Sequence, residues 1–350
     1  MRIAQVAPLT ESVPPRLYGG TERIVSYLTE ELVRQGHAVT LFASGDSRTA
    51  AELHSVTPTA LRLTPSIRDP SACVALHLEA VRQRADEFEV IHFHTDFTHL
   101  PLVRALGLSN VLMTLHGRLD LPEYLPLFEE FQEVPLVSIS DHQRAPMPRK
   151  RWIGTVHHGL PMNVCRFNAR PRGDYVAFLG RFSPEKRPDR AIEIARRAGV
   201  RIVMAAKVDE ADRRYFREHI EPLLSQPHVE YVGEICENEK CDFLGNARAL
   251  LFPIDWPEPF GLVMIEAMSC GTPCVAWNAG SVPEIIQEDA SGYIVDSIDS
   301  AAAAVHHAMR LDRRGVRACC EQRFSAERMT RDYLDLYRRM ASRKSGRVAA

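Results

Sequence analysis

Leu250-Leu251-Phe252-Pro253-Ile254-Asp255-Trp256-Pro257-Glu258-Pro259-Phe260-Gly261-Leu262-Val263-Met264-Ile265-Glu266-Ala267-Met268 holds a strand, a loop and a helix in one short run. Leu250–Pro253 is a continuous apolar run without the alternation of a half-exposed strand. Such a strand is buried on both faces, which belongs to a parallel sheet covered by crossover helices. The helix that follows is apolar at Leu262, Val263, Ile265 and Met268. Two carboxylates interrupt the pattern: Glu258 in the loop and Glu266 over a turn inside the helix. A carboxylate on an apolar helix needs a partner, because burying it unpaired is costly. Sugar or ribose hydroxyls are one such partner and a nearby arginine is another. Near Gly261-Leu262 the helix start offers backbone amides to a phosphate.

The same strand–helix alternation runs along the chain in both directions. Upstream the short apolar runs are Ile3–Ala7, Val39–Ala43, Val90–Phe93, Val111–Leu115, Leu136–Ile139 and Ile153–Val156. In the second half they are Tyr175–Leu179, Ile202–Ala206, Val229–Val232, Leu250–Pro253, Pro273–Trp277 and Tyr293–Val295. Ile24, Val25, Leu28 and Leu32 repeat at helical spacing after the first strand, with Thr21 as the expected N-cap, Gly36 as the expected C′ residue, and Glu22, Glu30 and Glu31 on a solvated face. Pro161–Asp174 lacks periodicity and reads as a linker between two α/β halves. A last helix over Ala326–Met340 carries Met329, Tyr333, Leu336, Tyr337 and Met340 on one stripe. The expected division is therefore residues 1–165, residues 166–325, and a C-terminal helix and tail over 326–350, the tail Arg343–Ala350 being frayed.

Bulk properties narrow the function classes. The chain has 350 residues, a formal net charge of −2 and 45% hydrophobic residues, so a global attraction to nucleic acid is not expected. No stretch approaches the roughly 18 apolar residues of a membrane span. The opening Met1–Pro8 reads as a first strand rather than a signal peptide, which makes the cytoplasm the expected compartment. The eight cysteines include no CxxC pair and no zinc-type Cys/His spacing, and are expected as reduced thiols. His92 and His94 alternate on a strand without a third ligand at a recognisable spacing, so they read as packed histidines and no metal site is expected.

Ligands of doubly wound sheets bind beyond the carboxyl ends of the strands, and the remaining motifs lie there. Tyr18-Gly19-Gly20-Thr21-Glu22 joins the first strand to the first helix, where paired glycines let amides approach an anion. It is not a GxGxxG dinucleotide fingerprint. Gly180-Arg181-Phe182-Ser183-Pro184-Glu185-Lys186 follows the first strand of the second half and brings a planar guanidinium and a mobile ammonium. Asp141-His142 follows a strand of the first half and is a candidate acceptor contact. The run Arg144–Arg151 reads as a solvated basic loop, with weak peripheral contact to an anionic lipid or phosphorylated acceptor as the alternative.

Together these motifs resemble the retaining glycosyltransferases of family 4, over nearly the whole chain. The resemblance rests on Gly19-Gly20, Thr114-Leu115-His116-Gly117, Gly180-Arg181 with Lys186, the E-x7-E element Glu258/Glu266, and Pro283-Glu284 with Gly292. It implies the GT-B fold: two facing Rossmann-like, doubly wound domains, with a C-terminal helix crossing back to the first. It implies a nucleotide-diphosphate sugar as donor, UDP-sugar first, and no cofactor or divalent metal. The acceptor is open among saccharide, lipid-linked sugar and small molecule. By the resemblance, Gly19 and Gly20 contact the diphosphate, His116 the donor sugar near the reacting carbon, and Arg181 and Lys186 the leaving diphosphate. Glu258 would hold sugar hydroxyls, Phe260, Gly261 and Leu262 sugar or phosphate through the helix start, Glu266 the ribose, and Gly233-Glu234-Ile235 the base. His157-His158-Gly159 departs from the family's usual Asn-Gly. A nucleotide-sugar epimerase of the same architecture and a non-catalytic sugar-nucleotide binder are the alternatives.

Overall fold

The structure, a computed structural model, describes residues 1–16, 19–147 and 150–348, with the side chains of 238 and 343–348 left aside. Tyr18 of the glycine loop and Arg149 of the basic run lie outside the described residues. The chain divides into two compact units. One holds Met1–Gly159 with the C-terminal helix Ala326–Val348, and the other holds Leu160–Ser325.

The first unit contains β1 (Arg2–Val6), β2 (Ala38–Phe42), β3 (Glu52–His54), β4 (Val90–Phe93), β5 (Val111–Thr114), β6 (Leu136–Ser138) and β7 (Trp152–Thr155). They form one sheet in the order β3-β2-β1-β4-β5-β6-β7. Every ladder is parallel, with Ile3 of β1 in register with Val39 on one side and Val90 on the other. The six apolar runs of this half are all strands. β3 is an addition that the apolar pattern could not reveal. It is a three-residue, partly exposed edge strand, and its Glu52 is held by Thr40 Oγ1 at 3.1 Å and by Arg84 at 2.7 Å.

The helix Gly20–Arg34 buries Ile24, Val25, Leu28 and Leu32 on this sheet. It ends as expected: the Gly36 amide donates to Val33 O at 2.9 Å and the His37 amide to Leu32 O at 3.1 Å, a Schellman closure. Its start departs from the sequence reading. Gly19, not Thr21, is the N-cap residue, and no side chain caps the helix. Glu22 and Glu31 are buried rather than solvated, and burial raises the Glu22 carboxyl above its ordinary range.

The C-terminal helix packs its stripe onto the first unit. Met329, Tyr333, Leu336, Tyr337 and Met340 are all at least 95% buried, and burying each Met or Leu of the set contributes about 1.5–3 kcal/mol. Arg328 ties the helix to the end of the sheet by donating to the carbonyls of His157 and His158 at 2.7 and 2.9 Å. The helical backbone continues to Val348, beyond the Met340 where the apolar stripe ends.

The second unit contains β8 (Val176–Arg181), β9 (Ile202–Lys207), β10 (Val229–Gly233), β11 (Ala249–Phe252), β12 (Cys274–Trp277) and β13 (Gly292–Val295). The order β10-β9-β8-β11-β12-β13 is again all parallel. Strand order reverses between β8 and β11, so the loops leaving these two strands border the switch point where doubly wound sheets bind ligands. The segment read as a linker is packed against this unit. Asn168 donates to Gly245 O at 3.0 Å, and Arg317 donates to Met162 O at 2.6 Å. Cys165 in that segment is joined to Cys241 as a disulfide, with Cα atoms 5.2 Å apart. This corrects the expectation that all eight cysteines are thiols. The pair is 76 residues apart in sequence, a spacing that carries no signal.

Candidate active site

In the second unit the loops after β8 and β11 are locked together. The Asp255 amide donates to Glu185 O at 2.8 Å, and Arg187 bridges Asp189 at 2.8 Å and Asp255 at 2.9 Å. This lock brings Lys186 and Glu258 into a direct ion pair. Trp256 Nε1 donates to the same Glu258 oxygen at 2.9 Å, and the Lys186 ammonium sits 5.0 Å from the Trp256 ring centroid. Arg181, at the end of β8, faces Asp209 at 3.4 Å, Glu185 at 3.5 Å and Asp212 at 3.7 Å. The two cations read from the sequence therefore stand at the switch point among carboxylates, and an anion arriving there would compete with them.

Gly280 sets the position of Glu258. Its φ is +58°, and a Cβ there would lie 2.3 Å from the Glu258 nitrogen and 2.4 Å from its oxygen. The close approach lets the Ser281 amide donate to Glu258 O at 3.0 Å and the Ser281 hydroxyl donate to Phe260 O at 2.7 Å. Phe260 is buried and packs edge-on against Phe324. Gly261 has φ +83°, a turn that suits glycine, and precedes the helix Leu262–Ser269, which opens without a side-chain cap.

Glu266 lies one turn inside that helix and is 91% buried. Its partner is Lys240, on the helix Glu237–Asn246, at 2.9 Å. Lys240 also meets Glu237 at 3.0 Å. Ile235 is half-buried in the loop between β10 and this helix. The structure thus gathers Arg181, Lys186, Glu258, Phe260, Gly261, Leu262, Glu266 and Ile235 around the carboxyl ends of one sheet.

In the first unit Gly19 and Gly20 form the start of the first helix, after β1. His116 follows β5. Its Nε2 is 2.9 Å from His94 Nδ1, and its ring stacks on His158 with centroids 5.3 Å apart. Burial holds the His116 imidazole neutral, with its pKa down to about 3, and pushes His92, His94 and His158 well below the usual range. His92 and His94 are packed residues. Asp141 and His142 are exposed after β6, where Asp141 accepts from Thr155 Oγ1 at 2.6 Å and meets Arg144 at 2.7 Å. The described part of the basic run is largely engaged within its own unit, Arg144 with Asp141, Lys150 with Glu129 at 3.9 Å and Arg151 with the Glu133 carbonyl. Among the described residues no helix is long and apolar enough to cross a membrane.

Lys240, Trp256, Gly280 and His158 join these sites although the sequence reading assigned them no role there. The last of them lay in view as the departure at His157-His158; Lys240 and Trp256 needed the folded loops to acquire their carboxylate partners.

Two parallel α/β units, with a charged site at the switch point of the second and a histidine at the end of the first sheet, have the architecture of the GT-B fold. Solved structures agree: the chain matches sucrose-phosphate synthase from Thermosynechococcus elongatus with a TM-score of 0.77, 20% identity and coverage of 97% and 99% of the two chains. It matches a glycosyltransferase involved in avilamycin A biosynthesis with a TM-score of 0.73, 23% identity and coverage of 97% and 98%. Residues 18–152 match the model for Glycosyltransferase Family 4, and residues 166–317 match the model for Glycosyl transferases group 1. The chain belongs to the family 4 type of glycosyltransferases. It is 25% identical over 335 residues to the phosphatidyl-myo-inositol mannosyltransferase of Mycobacterium leprae, covering 87% of this chain and 86% of that protein. It is 30% identical over 184 residues to the D-inositol 3-phosphate glycosyltransferase of Mycobacterium marinum, a match spanning 45% of this chain and 37% of that protein.

Proposed function

We propose that this glycosyltransferase moves a sugar from a nucleotide-diphosphate donor to a hydroxyl acceptor with retention at the anomeric carbon, without a bound metal. The observation that carries the reading is the pair of buried lysine–glutamate contacts, Lys186–Glu258 and Lys240–Glu266, on either side of the uncapped helix start at Leu262. A helix N-terminus and fixed cations stabilise a diphosphate leaving group as charge develops on it. In this reading Arg181 and Lys186 take that charge, Glu266 holds the ribose, Glu258 orients the sugar, and Ile235 borders the base. Glu258 is engaged by Lys186 and Trp256, which suits sugar positioning better than nucleophilic attack. We therefore favour attack on the face from which the diphosphate departs.

A uridine nucleotide is the first donor to test, in keeping with the UDP bound in the Anabaena HepE structure, whose fold this chain shares at a TM-score of 0.70. The names of the two mycobacterial relatives make inositol-bearing molecules the first acceptors to test. The protein is incubated with UDP-, GDP-, ADP- and TDP-sugars, first alone and then with inositol, inositol phosphates and saccharides. Release of nucleoside diphosphate that requires an acceptor supports transfer. A changed nucleotide sugar formed without acceptor would identify an epimerase, and tight binding without turnover a non-catalytic binder.

A further inference from the structure

A hydrogen-bonded chain crosses the first unit from the C-terminal helix to His116. Gln5, on β1, stands in its middle. The Gln5 Nε2 donates to the Tyr337 hydroxyl at 2.9 Å, and its Oε1 lies 2.7 Å from His94 Nε2. His94 Nδ1 in turn lies 2.9 Å from His116 Nε2. On the other branch the Tyr337 oxygen is 2.7 Å from His92 Nδ1, and His92 Nε2 is 2.7 Å from Thr114 Oγ1. Gln5, His92, Thr114 and Tyr337 have no exposed surface, and His94 has 3%.

The chemistry of these groups gives the chain a direction. An amide oxygen only accepts, so the proton between Gln5 and His94 belongs to His94 Nε2. A neutral imidazole has one donor and one acceptor nitrogen, so His94 Nδ1 accepts, and the proton between the two histidines belongs to His116 Nε2. Burial keeps both rings neutral, which leaves one proton for that contact. His116 Nδ1 is then a bare lone pair. It is buried and has no hydrogen-bond partner among the described residues. At the far end the Tyr337 hydroxyl, already receiving the Gln5 amide, gives its own proton to His92 Nδ1, and His92 Nε2 donates to Thr114.

We propose that Gln5, His94 and Tyr337 are positioning residues that hold His116 as its Nε2–H tautomer, so that Nδ1 faces a ligand as an acceptor for a sugar hydroxyl. The sugar rests on the proposed function; the tautomer does not. The amide of Gln5 is the switch in this relay. Turned over, it would reverse each bond and place the His116 proton on Nδ1, converting an acceptor into a donor.

The test is long-range proton–nitrogen NMR on the full chain labelled with ¹⁵N-histidine, without ligand and near neutral pH, with His116 assigned from its loss in His116→Asn. The expected spectrum shows His116 and His94 each as a single Nε2–H tautomer. A proton on His116 Nδ1, or exchange between the two forms, overturns the proposal. Tyr337→Phe and Gln5→Leu are expected to produce mixed His116 tautomers and a kcat lower by about 10- to 100-fold, by analogy with the loss of a partner that orients a metal-bound histidine, with nucleotide affinity unchanged. An unchanged His116 tautomer in both folded variants removes these residues from the relay. If either variant fails to fold, the wild-type spectrum still decides. A wild-type Nε2–H signal in a protein that transfers no sugar would sink the function while leaving the relay intact.

Discussion

At the scale of single residues, the two glutamates of the E-x7-E element differ in what surrounds them. Glu266 is held by Lys240, which keeps Glu237 as a second partner. Glu266→Ala should therefore leave a folded protein. A lost hydrogen bond to a charged group is worth roughly 1.5–3 kcal/mol, so nucleotide affinity should fall by about 10- to 150-fold. Glu258 contacts Lys186 and Trp256 at the mouth of the same helix, and Glu258→Ala should chiefly lower kcat or relax the choice of sugar. Steady-state kinetics with the preferred donor separate the two effects; a Glu258→Ala enzyme with normal turnover and selectivity would refute the sugar-positioning role. The need of Glu266 for a partner was legible in the sequence, because a lone carboxylate broke an apolar helix. That the partner is Lys240 was not, since a lysine on an otherwise polar helix reads as a solvated charge until the fold turns it inward. The relay at Gln5 and Tyr337 was hidden for a related reason: both residues sit in apolar patterns that are explained by burial alone.

At the scale of elements, the loop carrying Glu258 is supported by its contact with Gly280. Alanine at 280 would need an unfavourable positive φ and would drive its Cβ into the Glu258 backbone. Gly280→Ala is thus expected to reduce turnover at least as much as Glu258→Ala does, and to lower the melting temperature. Wild-type kinetics in Gly280→Ala would show that the Glu258 loop tolerates displacement. The C-terminal helix offers a second test. Its buried stripe belongs to the first unit, so truncation before Ala326 should expose Gln5, His92 and Thr114 and cost that unit its cooperative melting. A truncated protein that melts like wild type would contradict this packing. Strands were the most legible elements, because both-face burial leaves an unbroken apolar run. β3 escaped because a short edge strand needs no such run, and the first helix begins at Gly20, ahead of the capping hydroxyl expected at Thr21, with Gly19 as its N-cap.

At the scale of the whole molecule, the acid response should be dominated by buried histidines of the first unit. His77 is brought down to about 4 and His99 and His116 to about 3, while His92, His94 and His158 lie well below the usual range, all by burial. A histidine with a depressed folded pKa binds its proton more readily in the unfolded chain. Its stability contribution is complete above the unfolded pKa of about 6.5 and is lost as pH falls toward the folded value, at up to about 1.4 kcal/mol per pH unit for each group. Glu22 and Asp96, raised by burial, act in the opposite sense but are fewer. Calorimetric melts should therefore show the first unit losing stability steeply between about pH 6.5 and about pH 5, and a flat profile there would mean that these imidazoles are not neutral in the folded state. The twofold α/β plan was readable from the apolar strand runs, and the charged residues that gather at the switch point of the second unit from strand-end motifs. No acceptor was readable, because exposed loops such as that of Asp141 and His142 follow no general spacing.

In the proposed function, the switch point of the second unit is a nucleotide-diphosphate site that relies on its own cations. It is tested most directly by calorimetric titration of UDP and of GDP into the wild-type protein and Glu266→Ala, with EDTA present throughout. At least one nucleotide is expected to bind the wild type at a single site in EDTA and to bind Glu266→Ala at least about tenfold more weakly. Binding that disappears in EDTA, or that is equally tight in Glu266→Ala, would contradict it.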